Sequence, residues 1–277
     1  MGLKYNVNIE TEGAFTSAER KGFQNALMRY YKMRKITLLP FVMIFLLCFV
    51  FVIVDESEIG AFFFIFSPVG FVIRAVILRV SKINITYEQD EYSEKRVEFI
   101  DSMLEILQDI GNVWQMTELC DVTNKDRSGA IKSGDRNPAI IYRKQPKFLY
   151  TNVHCYIIAL KNESLYILPD KLLVEKNKNI DVIDWKEIEF ETDKMKLIED
   201  VVPNDTESVE KTWKYVNNDG SRDKRYNDNY KRYLCKYGLL KLSSKKGEGF
   251  NITFLLSSVD KMKMLIDMLA TYQQSYK

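Results

Sequence analysis

The sequence predicts an α+β chain: a two-helix transmembrane hairpin, then a cytosolic helix, then an antiparallel β-barrel or roll with a C-terminal helix. Three observations carry that expectation. Two apolar runs, Ile36 to Val54 and Ile59 to Leu78, are parted only by Asp55, Glu56, Ser57 and Glu58. After Pro138 the apolar pattern changes to the alternation of strands. The final residues return to a helical stripe, formed by Val259, Met262, Leu265, Ile266 and Leu269.

Residues 3–10 alternate, with Leu3, Tyr5, Val7 and Ile9 on one face, and read as a short strand. Thr16-Ser17-Ala18-Glu19 reads as a capping box opening a helix through Phe23, Leu27 and Tyr30. Each apolar run has the roughly 20 residues that a helix needs to cross a ~30 Å hydrocarbon core. So short a connection imposes an antiparallel hairpin. Arg20, Lys21, Arg29, Lys32, Arg34 and Lys35 precede the first run, Arg79 and Lys82 follow the second, and the connection carries only acids. Basic residues stay on the cytoplasmic side, so both termini are expected in the cytoplasm and the chain in the inner (plasma) membrane, with the lipid bilayer as a partner. Arg74, inside the second run, is placed to snorkel to the headgroups. A cleaved signal peptide has one apolar segment near the N-terminus, and a buried hairpin of a soluble protein usually keeps a polar face; neither describes these runs.

Residues 87–114 follow a helical period. Phe99, Met103, Ile106, Ile110 and Val113 form a stripe broadened by Ile100, Leu104 and Leu107. A face that wide packs on a core, with a homodimer seam through residues 97–113 as the alternative. Asp121 to Pro138 reads as an exposed polar loop. The expected strands are Phe148 to Leu160, Ser164 to Leu168, Lys171 to Glu175, Trp185 to Glu191, Thr212 to Val216, Tyr233 to Ser243 and Phe250 to Leu256. Ser258 is placed to cap the last helix. The division that results is 1–35 (N-terminal strand and basic helix), 36–78 (hairpin), 79–138 (juxtamembrane helix and polar loop) and 139–277 (β-rich domain). Strands closed by one terminal amphipathic helix are the layout of a pleckstrin-homology-like domain.

Inventory argues against most catalytic classes. The single histidine, His154, adjoins Cys155, and neighbours in a strand point to opposite faces. The four cysteines are scattered without CxxC spacing, which offers neither a zinc site nor a disulfide framework. No glycine-rich phosphate loop or GxSxG elbow is present. The expectation is a non-enzyme without cofactor or metal. A net charge of only +2 gives no argument for nucleic acid. Mean hydropathy is −0.22 and 28% of residues are charged, so the chain outside the apolar runs is strongly polar.

One segment stands out. From Lys211 to Arg232 seven Lys or Arg and three Asp interleave with Trp213, Tyr215, Tyr226 and Tyr230, around the turn signal Asn217-Asn218-Asp219-Gly220. Two uses fit it. As a recognition loop it presents Trp213, Tyr215, Asn217, Asp219, Arg222, Lys224, Arg225 and Tyr226 to an anion, headgroup or partner. As a structural hairpin it pairs Arg222 and Arg225 with Asp219, Asp223 and Asp228 to hold the loop in shape. Trp213, in a strand, is expected in the core under either use.

The residues Thr212, Trp213, Tyr215, Val216, Asn217, Asp219, Gly220, Asp223, Arg225, Tyr226, Asn229, Cys235, Tyr237 and Gly238 resemble a recurrent bacterial domain of unknown function. Its pattern is TWxYVNxDGxxDxR(F/Y) followed by CxYG, and that resemblance implies no activity. The order of strand, helix, hairpin and β domain is similar in layout to small bacterial membrane proteins of the YcxB-like type. The function expected from all this is a membrane-anchored binding or scaffold module for a protein partner or an anionic headgroup. Its rivals are an immunity or defence factor acting through the hairpin, and an enzyme with an unrecognised carboxylate site.

Overall fold

The computed structural model describes residues 6–7, 17–54, 69, 71–87, 91–116, 136–177, 179–245 and 250–275. They fall into two compact units. Unit 1 comprises residues 1–89, 144–154 and 178–180, and unit 2 comprises 90–143, 155–177 and 181–277.

Unit 1 is built on α1 (Ser17–Val54). Phe23, Leu27 and Tyr30, at helical spacing, are its buried stripe. The Tyr30 hydroxyl donates to the Lys147 carbonyl at 3.0 Å. Residues 71–80 are helical and are labelled α2. Three short strands, β1 (Asn6–Val7), β2 (Ile83–Ile85) and β6 (Leu149–Thr151), pair in parallel in the order β1-β2-β6. Of the strand expected over residues 3–10, only Asn6–Val7 lies among the described residues.

Unit 1 corrects the membrane reading. Among the described residues no helix is long and apolar enough to cross a membrane. α1 runs unbroken from a half bearing Lys21, Arg29, Lys32, Arg34 and Lys35 into the apolar run. The transmembrane hairpin, the inner-membrane location and the cytoplasmic placement of both termini that rested on it are therefore not supported. Asp55 to Glu58 lie outside the described residues. Of the expected flanking residues, Arg29, Lys32, Arg34, Lys35 and Arg79 are exposed, and Arg74 and Lys82 are half-buried.

Unit 2 places two helices with two antiparallel sheets. In α3 (Glu91–Asp109), Glu91 and Glu94 lie in the first turn, where carboxylates oppose the helix dipole. Ile100, Met103, Leu104 and Leu107 are buried, with Phe99 and Ile106 partly so. One sheet has the order β10-β9-β8-β7-β5, from β5 (Ile140–Arg143), β7 (Tyr156–Ala159), β8 (Glu163–Ile167), β9 (Lys171–Lys176) and β10 (Asn179–Asp184), of which residues 181–184 fall in unit 2. The other follows β11-β13-β14-β3-β4, from β3 (Val113–Met116), β4 (Arg136–Pro138), β11 (Ile188–Glu199), β13 (Lys231–Ser244) and β14 (Asn251–Leu256). β12 (Glu207–Trp213) adds to β13 alone. β13 is flanked by β11 along its length on one edge. On the other edge β12 covers residues 231–236 and β14 covers 238–243.

The core draws on both sheets and both helices: Ile158, Leu165 and Leu172 meet Leu240, Phe254 and Leu256 with Met103, Leu265 and Leu269. α4 (Val259–Ser275) opens with the Lys261 N–H on Ser258 Oγ at 3.3 Å. It crosses β13 at Gly238, where a Cβ would come within 2.4 Å of Met262 Sδ, so any larger residue would require the Met262 side chain to move. The opposite face of the second sheet carries a smaller cluster, including Met195, Leu197, Cys235, Tyr237 and Leu255. That sheet curls: Arg136 on β4 reaches Glu199 on β11, at the other end of the strand order, with two bonds of 2.6 and 2.8 Å. Even so the described strands form sheets and no closed barrel, which corrects the barrel expectation.

Candidate functional site

The 214–230 segment joins β12 to β13 and is held by side chains that replace the missing sheet. The chain first reverses at Gly220, whose φ of 82° suits glycine. The Gly220 N–H bonds the Asn217 carbonyl at 3.0 Å, and the Asn217 N–H bonds the Ser221 carbonyl at 2.9 Å. Asp219 accepts from the Ser221 N–H and hydroxyl, which holds its carboxyl below the usual range. Asn217 donates to Ser221 Oγ and to the Arg222 carbonyl.

Two residues then tie this inner turn back to the stem. Asn229, 3% exposed, accepts from the Tyr215 N–H and donates to the carbonyls of Tyr215 and Asp223. Asp223, 3% exposed, is capped by the exposed Arg225, whose Nε and Nη2 reach its carboxylate at 2.6 to 3.1 Å. That bonding lowers the Asp223 pKa and raises that of Arg225. Lys214 bonds Asp228 at 2.6 Å, lowering the aspartate's pKa and raising its own. Tyr215 stacks on Tyr226 with centroids 4.1 Å apart.

Asp219, Asp223, Asp228, Asn217 and Asn229 are thus engaged inside the loop. The cations divide differently. Arg232 pairs with Asp200 at 2.6 Å, and Lys214 and Arg225 are paired as above. Among the described residues Lys211, Arg222, Lys224 and Lys231 make no ion pair and are exposed. Arg222 lies 5.1 Å and Lys231 5.7 Å from the centroid of the Trp213 ring. Trp213 is half-buried, not core, because it ends β12 beside a single neighbouring strand. This corrects its expected place. Tyr226 and Tyr230, each 44% exposed, extend the aromatic surface.

Of the residues expected in a recognition loop, Trp213, Arg222 and Lys224 belong to the outward surface. Tyr215, Asn217, Asp219 and Arg225 belong to the frame, with Tyr226 in both. Lys231 was missed as a site residue, because its place opposite Trp213 comes from the β12–β13 register, which leaves no local mark in the sequence. Asn229 was missed as an organising residue.

Elsewhere in unit 2, Tyr237 donates to Glu199 at 2.9 Å, and burial first, then Glu199, raises the phenol's pKa. Arg136 lies over Trp114 at 5.0 Å. Burial pushes the Cys155 thiol up to about 12, which makes it a poor nucleophile. Among the described residues no group of His, Cys, Asp and Glu side chains is placed to hold a metal ion. The chain matches no family model, no curated protein and no solved structure.

Proposed function

We propose that unit 2 is a recognition module, without catalytic chemistry, that binds an acidic protein partner on the surface of Trp213, Arg222, Lys224 and Lys231. The observation that carries this reading is the division of charge within one loop. Asp223 and Asp228 pair with bases inside the frame and Asp219 bonds Ser221, while four cations are left without an acid, two of them against one half-exposed indole. A loop whose only role was to hold its own shape would pair its bases with its acids. An indole beside a guanidinium offers both apolar contact and an anion-facing edge, and Trp and Arg are among the residue types that dominate binding energy at protein interfaces.

The test is binding of the full chain to immobilised poly-L-glutamate. Wild type should bind at low salt and release as ionic strength shortens the Debye length to about 8 Å near 0.15 M. Arg222→Ala/Lys224→Ala/Lys231→Ala should bind roughly tenfold or more weakly with an unchanged melting temperature. Equal binding by the triple variant would overturn the reading.

A further inference from the structure

β12 has one neighbour. Its ladder to β13 runs from Glu207↔Lys236 to Trp213↔Lys231, and among the described residues no strand pairs with its other edge. Glu207 to Lys211 are all exposed, and Thr212 and Trp213 are half-buried. At the end of the ladder the Lys214 N–H donates to the Tyr230 carbonyl at 3.0 Å. Antiparallel strands alternate inward- and outward-bonding residues. Thr212 therefore bonds toward β13 as Lys214 does, while Lys211 and Trp213 direct their N–H and C=O groups to the open edge. Sheets commonly blunt such edges with bulges or inward charge. β12 has a register shift between Ser208 and Glu210, which leaves the Lys211–Trp213 end regular.

We infer that the Lys211–Trp213 edge is a strand-addition site for an extended acidic segment of a partner protein. The segment's main chain pairs with the outward groups of Lys211 and Trp213, and its carboxylates meet Arg222, Lys231 and Lys211. This rests on the acidic-partner reading above and adds the mode of binding. Charge selects the occupant. Lys211 lies at the regular end, where Arg222 and Lys231 stand over Trp213, whereas Glu207 is already held by Lys236 at 3.0 Å. Glu210, an exposed acid, repels a carboxylate on the other side and so fixes the acidic residues toward Trp213. Main-chain bonds then supply affinity and the cationic indole supplies selectivity.

The probe is a synthetic octapeptide of alternating Val and Glu with blocked ends, titrated into the full chain. A second peptide carries N-methyl groups on two consecutive central amides, which stops donation from both edges and leaves the charge unchanged. Lys211→Pro removes only an N–H that points away from β13, and Lys211→Ala controls for the lost charge. Wild type should bind the plain peptide. N-methylation and Lys211→Pro should each weaken binding roughly tenfold or more, and Lys211→Ala by about threefold or less. If Lys211→Pro melts early, the N-methylated peptide decides alone. Equal binding of both peptides, with binding lost in Arg222→Ala/Lys231→Ala, overturns strand addition and leaves acid recognition standing. Failure of wild type to bind either peptide or poly-L-glutamate overturns both.

Discussion

Asn229 is the tie whose removal is most informative. Its side-chain oxygen accepts from the Tyr215 N–H at 3.1 Å, and its amide donates to the carbonyls of Tyr215 at 2.7 Å and Asp223 at 2.8 Å. Asn229→Ala deletes these bonds and leaves one N–H and two carbonyls without them. At about 1 kcal/mol net per bond, the loss is roughly 3 kcal/mol. Asn229→Asp keeps the acceptor for Tyr215 but aims a carboxylate oxygen at two carbonyls, so it should cost more than alanine. That order is diagnostic, because at an ordinary exposed site either change stays within about 0.5 kcal/mol. Hydrogen exchange on the full chain, read at the amides of Tyr215, Asn217 and Gly220, measures it where the bonds are. Protection should fall from wild type to alanine to aspartate, while the global unfolding midpoint moves less because the loop opens locally. Equal protection in all three proteins would refute the frame described for this loop.

Leu265 and Leu269, 3% and 4% exposed, line an apolar cavity of about 40 Å³ in the unit 2 core. Leu265→Ala and Leu269→Ala should each cost about 2–5 kcal/mol in urea unfolding, and unchanged midpoints would show that α4 is not packed there. Asp184 is pushed above the usual carboxyl range, first by burial, although it accepts the Lys186 N–H. Its stability contribution therefore declines as pH rises from about 3.9 through the raised folded value. Asp184→Asn, which keeps the acceptor, should be the more stable protein at pH 7, with the difference closing below that window; equal midpoints at pH 7 would contradict this. Asp223 and Asp228 have the opposite sign. Their support is complete above the ordinary aspartate range and lost as pH falls through their lowered values, so loop-amide protection should decline in acid.

Strands β8, β9, β13 and β14 lie within a residue or two of the segments marked out by alternation, and α4 follows its apolar stripe. Those patterns are local, so one sequence carries them. Other elements turn on single side chains. The segment Phe148 to Leu160 reads as one strand, but Asn152 accepts from the Tyr87 N–H and donates to its carbonyl, and the chain breaks there into β6 and β7. Trp185 looks like a strand start, yet Asp184 caps a 3-10 turn over Trp185–Glu187 and β11 begins at Ile188. β10 was passed over although Ile180 and Val182 alternate with Asn179 and Asp181. The parallel pairing of β1, β2 and β6 joins distant residues and left no local mark. In the loop, nearness in sequence misled: Arg225 takes Asp223, but Lys214 reaches over 14 residues to Asp228, and Arg222 turns to Trp213 rather than to an acid. Composition identified the segment; only geometry divided it into frame and surface.

That division is the central claim, and paired measurements on Arg225→Ala and Arg222→Ala/Lys231→Ala test it most directly. Each full-length variant is assayed for loop-amide protection and for poly-L-glutamate binding at low salt. Arg225→Ala uncovers the buried Asp223 carboxylate, so it should lose protection around Tyr215 and Asn217 while the surface cations still bind. Arg222→Ala/Lys231→Ala should keep protection and lose binding. Both effects falling together in both variants would contradict a loop divided between frame and recognition surface.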